Sequence, residues 1–374
     1  MVVDKSKKIS LVKLKELLNS VLSSSNRTSK IIQKFDDIII HSDVLFYTWK
    51  LLAKNYINIK NSNDIYAQNV IELLEKISPS KCDSKEYSLG LDCKEKFVLD
   101  DLLLNKYIGK VWQSLINRDF KSPDIHKKVL FLLMETYINR IDNAVFLTDF
   151  LMGSMNIKGI ISILALEGMS KLMQRSNIEY PNIYGKLYTM FEPDILHKKY
   201  KSRLFFLADI FLSSICLPES IVASFIKRVA RLSLISAAPD IIMMLKFISN
   251  LMIRHPGLKR LVNHPDVTEV SEDPFIANEN DPTKTCATSS CLWEIVLLKN
   301  HCLPSVSSAA KFIDFNLPSI EFDLSDVLSN NYEKIFKTEC KKKTDKPSLT
   351  FERPQNSIAK LKDDKLYKLW SLIV

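Results

Sequence analysis

Apolar residues recur at helical spacing through most of this sequence, and no other feature constrains the fold as strongly. The pattern is clearest at 217–239, where the apolar positions are Ile221, Val222, Phe225, Ile226, Val229 and Leu232. These positions form a single stripe, which predicts a helix packed on one side. Pro218 suits the first helical turn because its missing N–H is not needed there, and Pro239 ends the segment. The other side of this helix carries Ser220, Ser224, Lys227, Arg228 and Arg231.

The scarcity of glycine supports the same fold class. Only 7 of the 374 residues are glycine, and glycine supplies the positive φ angles of tight hairpin turns and phosphate-binding loops. No GxGxxG or P-loop pattern occurs. With 46% hydrophobic residues the chain can build a sizeable core. We therefore expect an all-α protein rather than a β-sandwich or a nucleotide-binding α/β fold.

Breaks rich in Ser, Asn, Asp and Pro separate the predicted helices, which indicates an irregular HEAT-like α-solenoid of helical hairpins. Within 217–239 we predict a helix at 217–234, and around it we predict helices at 198–214, 239–255, 289–300 and 304–315. The 239–255 helix is apolar on nearly every side, as expected of an inner helix. Residues 262–288 lack helical spacing and carry six acidic residues and three prolines, which predicts a long acidic loop. The chain ends on an apolar, extended C-terminal tail that must dock on another surface.

The charge and cysteine content suit a nuclear or cytosolic protein. Lys and Arg number 52 against 43 Asp and Glu, a net charge of +9 that favours anionic surroundings such as ribonucleoprotein. The seven cysteines are odd in number, widely spaced and free of CxxC pairs, so a reducing compartment fits better than a disulfide framework. We find no signal-peptide core and no apolar segment of membrane-spanning length, and expect no membrane association.

A metal site or a catalytic site is not expected. The histidines and cysteines closest to a ligand cluster are His255, His264, Cys286, Cys291, His301 and Cys302. Their spacing differs from structural zinc sites, where paired ligands lie two to four residues apart on a tight turn. No GxSxG or HExxH pattern is present either. We therefore predict a protein without enzymatic activity, without a cofactor and without a small-molecule substrate.

The cations of the 217–239 helix are the candidate functional residues. We expect Lys227, Arg228 and Arg231 to make polar contacts with a protein partner, although a solvated face, a nuclear-import signal or a phosphate contact stays open. The three are too sparse for an RNA groove and no aromatic residues interleave with them. We also predict a structural ion pair, because Asp209 lies in an apolar helix and either arginine could reach it if the helices are antiparallel neighbours.

Several motifs in consistent order resemble one known family. They are YPNIYGKLYTMFEPDI (180–195), YKSRLFFLADIFLSS (200–214), LPESIVASFIKRVARLSL (217–234), LMIRHP (251–256), EDPF (272–275), SSCLWEIVLLKNHCLPSVS (289–307) and LTFE (349–352). Together they resemble the nucleolar complex protein 4 family, which shares a CCAAT-binding-factor-like domain. The resemblance implies three parts, namely an N-terminal helical-repeat region at 1–155, a CCAAT-binding-factor-like α-solenoid domain at 156–352 and a docking tail at 353–374.

The resemblance also implies a function. Members of this family are non-enzymatic solenoids of the nucleolus that pair with an extended partner, nucleolar protein 14, in the small-subunit processome during 18S ribosomal RNA and 40S maturation. We expect the same partner here, with contact to the pre-ribosomal particle and only indirect contact to RNA. Two alternatives stay open, namely a sister nucleolar complex protein acting in 60S assembly and a module that binds pre-ribosomal RNA directly.

Overall fold

The computed structural model of the protein describes most of the chain in twelve stretches. These are residues 11–22, 26–33, 41–55, 64–78, 100–118, 122–141, 144–176, 180, 182–214, 216–263, 272–314 and 320–341. The chain divides into two units, Met1–Asn330 and Asn331–Val374. Within the second unit, the described part is one exposed helix, Tyr332–Lys341, with no buried residue.

The first helices of the larger unit pack around a core of large aromatic side chains. They are α1 (Leu11–Val21), α2 (Ser42–Asn55), α3 (Asp64–Lys76), α4 (Asp101–Ile116) and α5 (Pro123–Leu132), and α5 continues into a π-helical turn at Leu133–Tyr137. The rings of Trp49 and Trp112 contact the ring of Tyr137 at centroid distances of 5.6 and 5.2 Å. Asp100 begins α4 by accepting hydrogen bonds from two backbone amides of its first turn. Buried aromatic area of this kind contributes strongly to stability.

Among the next four helices, α6 (Leu147–Met155) and α7 (Ile160–Ser176) pack closely at a glycine. The other two are α8 (Ile183–Thr189) and α9 (Lys201–Phe211), with a 3₁₀ turn at Pro193–His197. Helix α7 packs against α5, α6 and α9. At Gly168 a Cβ atom would lie 2.9 Å from a methyl group of Leu151, so the absence of a side chain lets α6 approach α7 closely.

Two long helices form the centre of the described core. They are α10 (Glu219–Ser233) and α11 (Ala238–Arg254), joined by a short turn. Thirteen of the seventeen residues of α11 are buried, as its all-round apolar pattern predicts. Edge-to-face ring contacts link Phe191 to Phe205 and Phe225, and Phe205 to Phe247 of α11.

The rest of the larger unit consists of short helices. A 3₁₀ turn at Pro256–Leu261 follows α11, and a second lies at Ala287–Ser289. Then come α12 (Trp293–Leu298), α13 (Pro304–Ala310), a 3₁₀ turn at Lys311–Ile313 and α14 (Leu324–Leu328). The exposed helix of the second unit is α15 (Tyr332–Lys341). Helix α11 packs against both α13 and α14.

The predicted all-α class is confirmed, because the described stretches contain helices and turns and no strand. Helices that pack on their neighbours in sequence are consistent with an α-solenoid, whereas the HEAT-like character and the division near 155 stay predictions. The helix predicted at 217–234 spans Glu219–Ser233, and the one at 239–255 spans Ala238–Arg254. The predicted LTFE element and the apolar tail lie outside the described residues. Among the described helices, none has the length and apolarity needed to cross a membrane.

Candidate partner-binding site

Helix α10 has two different buried faces. Its apolar face packs on α11 and places Val222, Phe225 and Val229 in the core. Its polar face was expected to contact a protein partner, yet Ser224 and Lys227 are also fully buried. A second layer of chain must therefore cover the cationic side of the helix.

That layer is residues 272–294, which follow α11 in sequence and pack against α10. We call this stretch the returning segment. The hydroxyl of Ser224 hydrogen-bonds with the hydroxyl of Thr285 at 2.6 Å and donates to the carbonyl of Pro282. Cys286 occupies the left-handed region at φ 55°, a conformation that cysteine rarely adopts. Most of the predicted acidic loop within the described chain is thus an ordered cover for α10.

Two cations of α10 and two carboxylates of the returning segment form the Lys227 cluster, defined as Lys227, Arg231, Asp273 and Glu294. The ammonium of Lys227 lies 2.8 Å from Glu294 and 3.0 Å from Asp273. The guanidinium of Arg231 lies 2.7 Å from each of the same carboxylates. The side chains of Lys227 and Glu294 are 0% exposed, so the two charges neutralise each other away from water.

Aromatic rings and further donors complete the cluster. The indole N–H of Trp293 donates to Asp273 at 2.9 Å, and its ring lies 5.0 Å from the guanidinium of Arg231. Lys227 also donates to the carbonyl of Cys291. Each charged group therefore has several partners, as buried charges require.

The electrostatics of Asp273 follow from these contacts. Burial alone would raise the pKa of its carboxyl, but hydrogen bonds from Ser290, Trp293, Lys227 and Arg231 outweigh burial and hold the pKa well below its usual range. Asp273 is therefore ionised at every pH at which the protein is expected to work. The cluster contains two positive and two negative charges, and its ion pairs join α10 to the returning segment.

Arg228 is also engaged within the chain. Its guanidinium donates to the carbonyl of Phe191 at 2.8 Å and to that of Glu279 at 3.4 Å, and it stacks on the ring of Tyr188 at 4.3 Å. Arg228 thus links α10 both to the chain before α9 and to the returning segment.

The expected partner-binding face is revised by this arrangement. Lys227, Arg228 and Arg231 do lie on one side of α10, as the spacing predicted, but Lys227 is inaccessible and the two arginines are half-buried and engaged internally. Sequence reasoning missed Asp273 and Glu294 as their counter-ions. The available signal was a run of acidic residues that follows a cationic helix in a basic chain.

The predicted ion pair of Asp209 with Arg228 or Arg231 is wrong. Both arginines face the returning segment and Phe191, and Asp209 at the end of α9 pairs instead with Arg254, the last residue of α11. The distances from the Arg254 guanidinium to the two carboxylate oxygens are 2.8 and 3.3 Å. Arg254 also donates to Glu321 at 2.6 Å, and its hydrogen bonds to Glu321 foremost, against burial, raise the pKa of Arg254.

The residues considered for a metal site are spread over several elements. His255 is buried beside the carbonyl of Leu212, whereas Cys286, Cys291 and Cys302 are exposed, and His264 lies outside the described residues. Within the described part of the chain, no group of three or more His, Cys, Asp or Glu side chains could hold a metal ion.

Comparisons with known proteins place this region in a family. Residues 162–310, which include α10 and the returning segment, match the CBF/Mak21 family. The chain is 33% identical to a nucleolar complex protein 4 homolog of Gallus gallus over 94% of this chain and 70% of that relative. The corresponding Mus musculus homolog is 39% identical over 87% of this chain and 65% of that relative. Nucleolar complex protein 4 of Saccharomyces cerevisiae is 36% identical over 77% of this chain and 57% of that relative.

Proposed function

Because this chain belongs to the nucleolar complex protein 4 family, we propose that it is a non-enzymatic scaffold subunit in the assembly of the small ribosomal subunit. The resemblance first seen in the sequence motifs is confirmed by the relatives. Their names state that they belong to a nucleolar complex, in agreement with the predicted nuclear and nucleolar location. We further propose that it acts in 18S ribosomal RNA maturation, through an extended protein partner of the nucleolar protein 14 type.

The observation that carries this proposal is the extent of the similarity, which continues through nearly the whole chain. Similarity limited to one helix pair would support a shared fold alone, because one fold hosts many functions. The ion pairs between α10 and the returning segment support a rigid scaffold, because the cations of α10 bind groups within the fold.

Binding by shape is the mechanism that suits such a scaffold. Packed helices offer a preformed surface, and an extended partner segment gains order on that surface when it binds. Apolar grooves between helices would supply affinity, and exposed cations would supply orientation and association rate. RNA contact through α10 itself is not part of the proposal, because Lys227, Arg228 and Arg231 bind groups within the chain.

Calorimetric titration of the full chain with a purified segment of nucleolar protein 14 tests the proposal. We expect saturable binding with a negative heat-capacity change, the mark of buried apolar surface. Absence of binding would contradict the proposed partner.

Sedimentation of pre-ribosomal particles separates the proposed role from the 60S alternative. We expect the tagged chain to travel with 40S precursors and to be absent from 60S precursors. Association with 60S precursors alone would assign it instead to the large subunit.

A further inference from the structure

A groove between α11 and α13 is lined by none of the residues of the Lys227 cluster. Its floor and walls come from one face of each helix, because the lining positions follow the spacing i, i+3, i+4 and i+7 on α11 and i, i+3 and i+4 on α13. The lining residues are Ile242, Leu245, Lys246 and Ser249 of α11, Ser305, Ser308 and Ala309 of α13, and Lys311, Phe312 and Phe322 beyond it. We call this the α11–α13 groove, and its volume is about 560 Å³.

The charged residues of the groove are all positive. Lys246 lies over the ring of Phe322 at 5.4 Å, and Lys311 is exposed on the turn after α13. Neither lysine forms an ion pair with a carboxylate in the described part of the chain. Neighbouring acids are committed elsewhere, since Asp314 pairs with Lys299 and Glu321 pairs with Arg254.

A polar atom in the floor of the groove lacks a partner. The hydroxyl of Ser249 is buried, with 1% of the residue exposed, and forms no hydrogen bond. A buried hydroxyl without a partner is unfavourable, and such groups are uncommon in folded proteins.

We infer that the α11–α13 groove binds an amphipathic helix of a protein partner, with apolar side chains on the groove floor and carboxylates beside Lys246 and Lys311. This inference rests on the proposed scaffold function and adds a location and a chemistry to it. The α13 side, from residue 305 to 312, spans about 10 Å, which matches two turns of a bound helix. Such a helix would anchor through residues at i, i+3 or i+4, and i+7.

The chemistry of the groove favours a protein helix over nucleic acid. Aliphatic and serine side chains make up most of the floor, and they complement leucine-like side chains better than phosphates or bases. Two lysines are too few to neutralise the phosphates of a nucleic-acid strand, whereas a helix with two carboxylates could pair with both lysines.

Fluorescence anisotropy with a defined peptide tests this inference. The probe is a labelled helical peptide of about 18 residues, long enough to be helical alone, with leucines at the anchor spacing and glutamates on both flanks. We expect saturable binding to the full chain, and a loss of affinity of about tenfold or more in the double variant Lys246→Glu/Lys311→Glu, where attraction becomes repulsion. A probe with lysines in place of the glutamates should show the opposite preference.

A matched control separates local contact from the net charge of the chain. Lys127→Glu/Lys128→Glu changes the charge equally at two exposed lysines of α5 and should leave the affinity unchanged. Ala309→Trp, which fills the groove, should weaken both probes. Circular dichroism melting of each variant verifies that it is folded.

Three results would overturn the inference. They are absence of saturable binding, equal loss in both charge variants, and a single-stranded RNA oligomer that binds the groove more tightly than the peptide. The proposed function is judged separately, by whether the chain binds nucleolar protein 14 and travels with 40S precursors. If the chain does so while the peptide fails to bind, the groove assignment alone is wrong.

Discussion

At the scale of single residues, the pairing of Lys227 with Glu294 determines much of the stability around α10. Both side chains are fully buried, so removal of one leaves an uncompensated charge away from water. We expect Lys227→Ala to lower the free energy of unfolding by about 3–5 kcal/mol, measured by urea denaturation. Lys284→Ala, at a largely exposed lysine, should change it by less than about 0.5 kcal/mol.

A double variant distinguishes the charge from the packing of Lys227. Lys227→Met/Glu294→Gln removes both charges and keeps similar volumes, and we expect it to recover most of the stability lost in Lys227→Ala. If its loss of stability equals the sum of the losses in Lys227→Met and in Glu294→Gln, the two charges do not compensate each other.

Asp273 gives the cluster a pH dependence of known sign. Its pKa lies below that of the unfolded chain, about 3.9, so its ionised form stabilises the fold above that pH, and the stabilisation is lost as the pH falls towards the folded pKa. We expect Asp273→Asn to cost about 2–3 kcal/mol near neutral pH. Denaturation between pH 8 and 2 should show a constant difference from wild type down to about pH 5 and a narrowing difference below about pH 4. A difference independent of pH would contradict the proposed ionisation.

At the scale of elements, Gly168 sets the approach of α7 to α6. A methyl group there would meet Leu151 and Met134, which are buried and have little room to move. We expect Gly168→Ala to destabilise the protein by about 1 kcal/mol, because overpacking exceeds the gain in helix propensity. Gly109→Ala in α4 is the matched control, since nothing lies within 4 Å of its new methyl group. It should stabilise the protein by up to about 1 kcal/mol in the same thermal denaturation series.

The elements themselves were largely predictable from sequence. The bounds of α10 and α11 agree with the prediction within about two residues, because apolar periodicity and proline positions are local signals. Helix α12 was predicted at 289–300 but spans Trp293–Leu298, since residues 287–289 form a 3₁₀ turn instead. Short helices depend on tertiary contacts that a local pattern does not contain.

The pairing of side chains was less predictable, and the reason is physical. Asp209 needed a cation, but three arginines on two helices were within plausible reach, and the spacing within each helix cannot select among them. In the structure the carboxylates of the returning segment bind Arg231, Arg228 donates to the carbonyl of Phe191, and Arg254 binds Asp209. The positions of Lys227, Arg228 and Arg231 on one face were foreseen, and their burial was not.

At the scale of the whole molecule, stability should be unevenly distributed. Helix α11 is buried along almost its full length, whereas α15 has no buried residue. Among the described helices, we expect hydrogen–deuterium exchange of the free chain to be slowest in α10 and α11 and fastest in α15. Strong protection of α15 in the isolated protein would contradict this order.

The returning segment also has a consequence for the order in which the protein is made. Lys227 and Glu294 are 67 residues apart in sequence, so α10 is synthesised well before its counter-ions. Closing a loop of that length is slow relative to forming the α10–α11 hairpin. A nascent chain that ends before residue 272 therefore presents a helix with one side packed and the other cationic and uncovered. During translation, this region can complete its fold only after residue 294 has been synthesised and has left the ribosome.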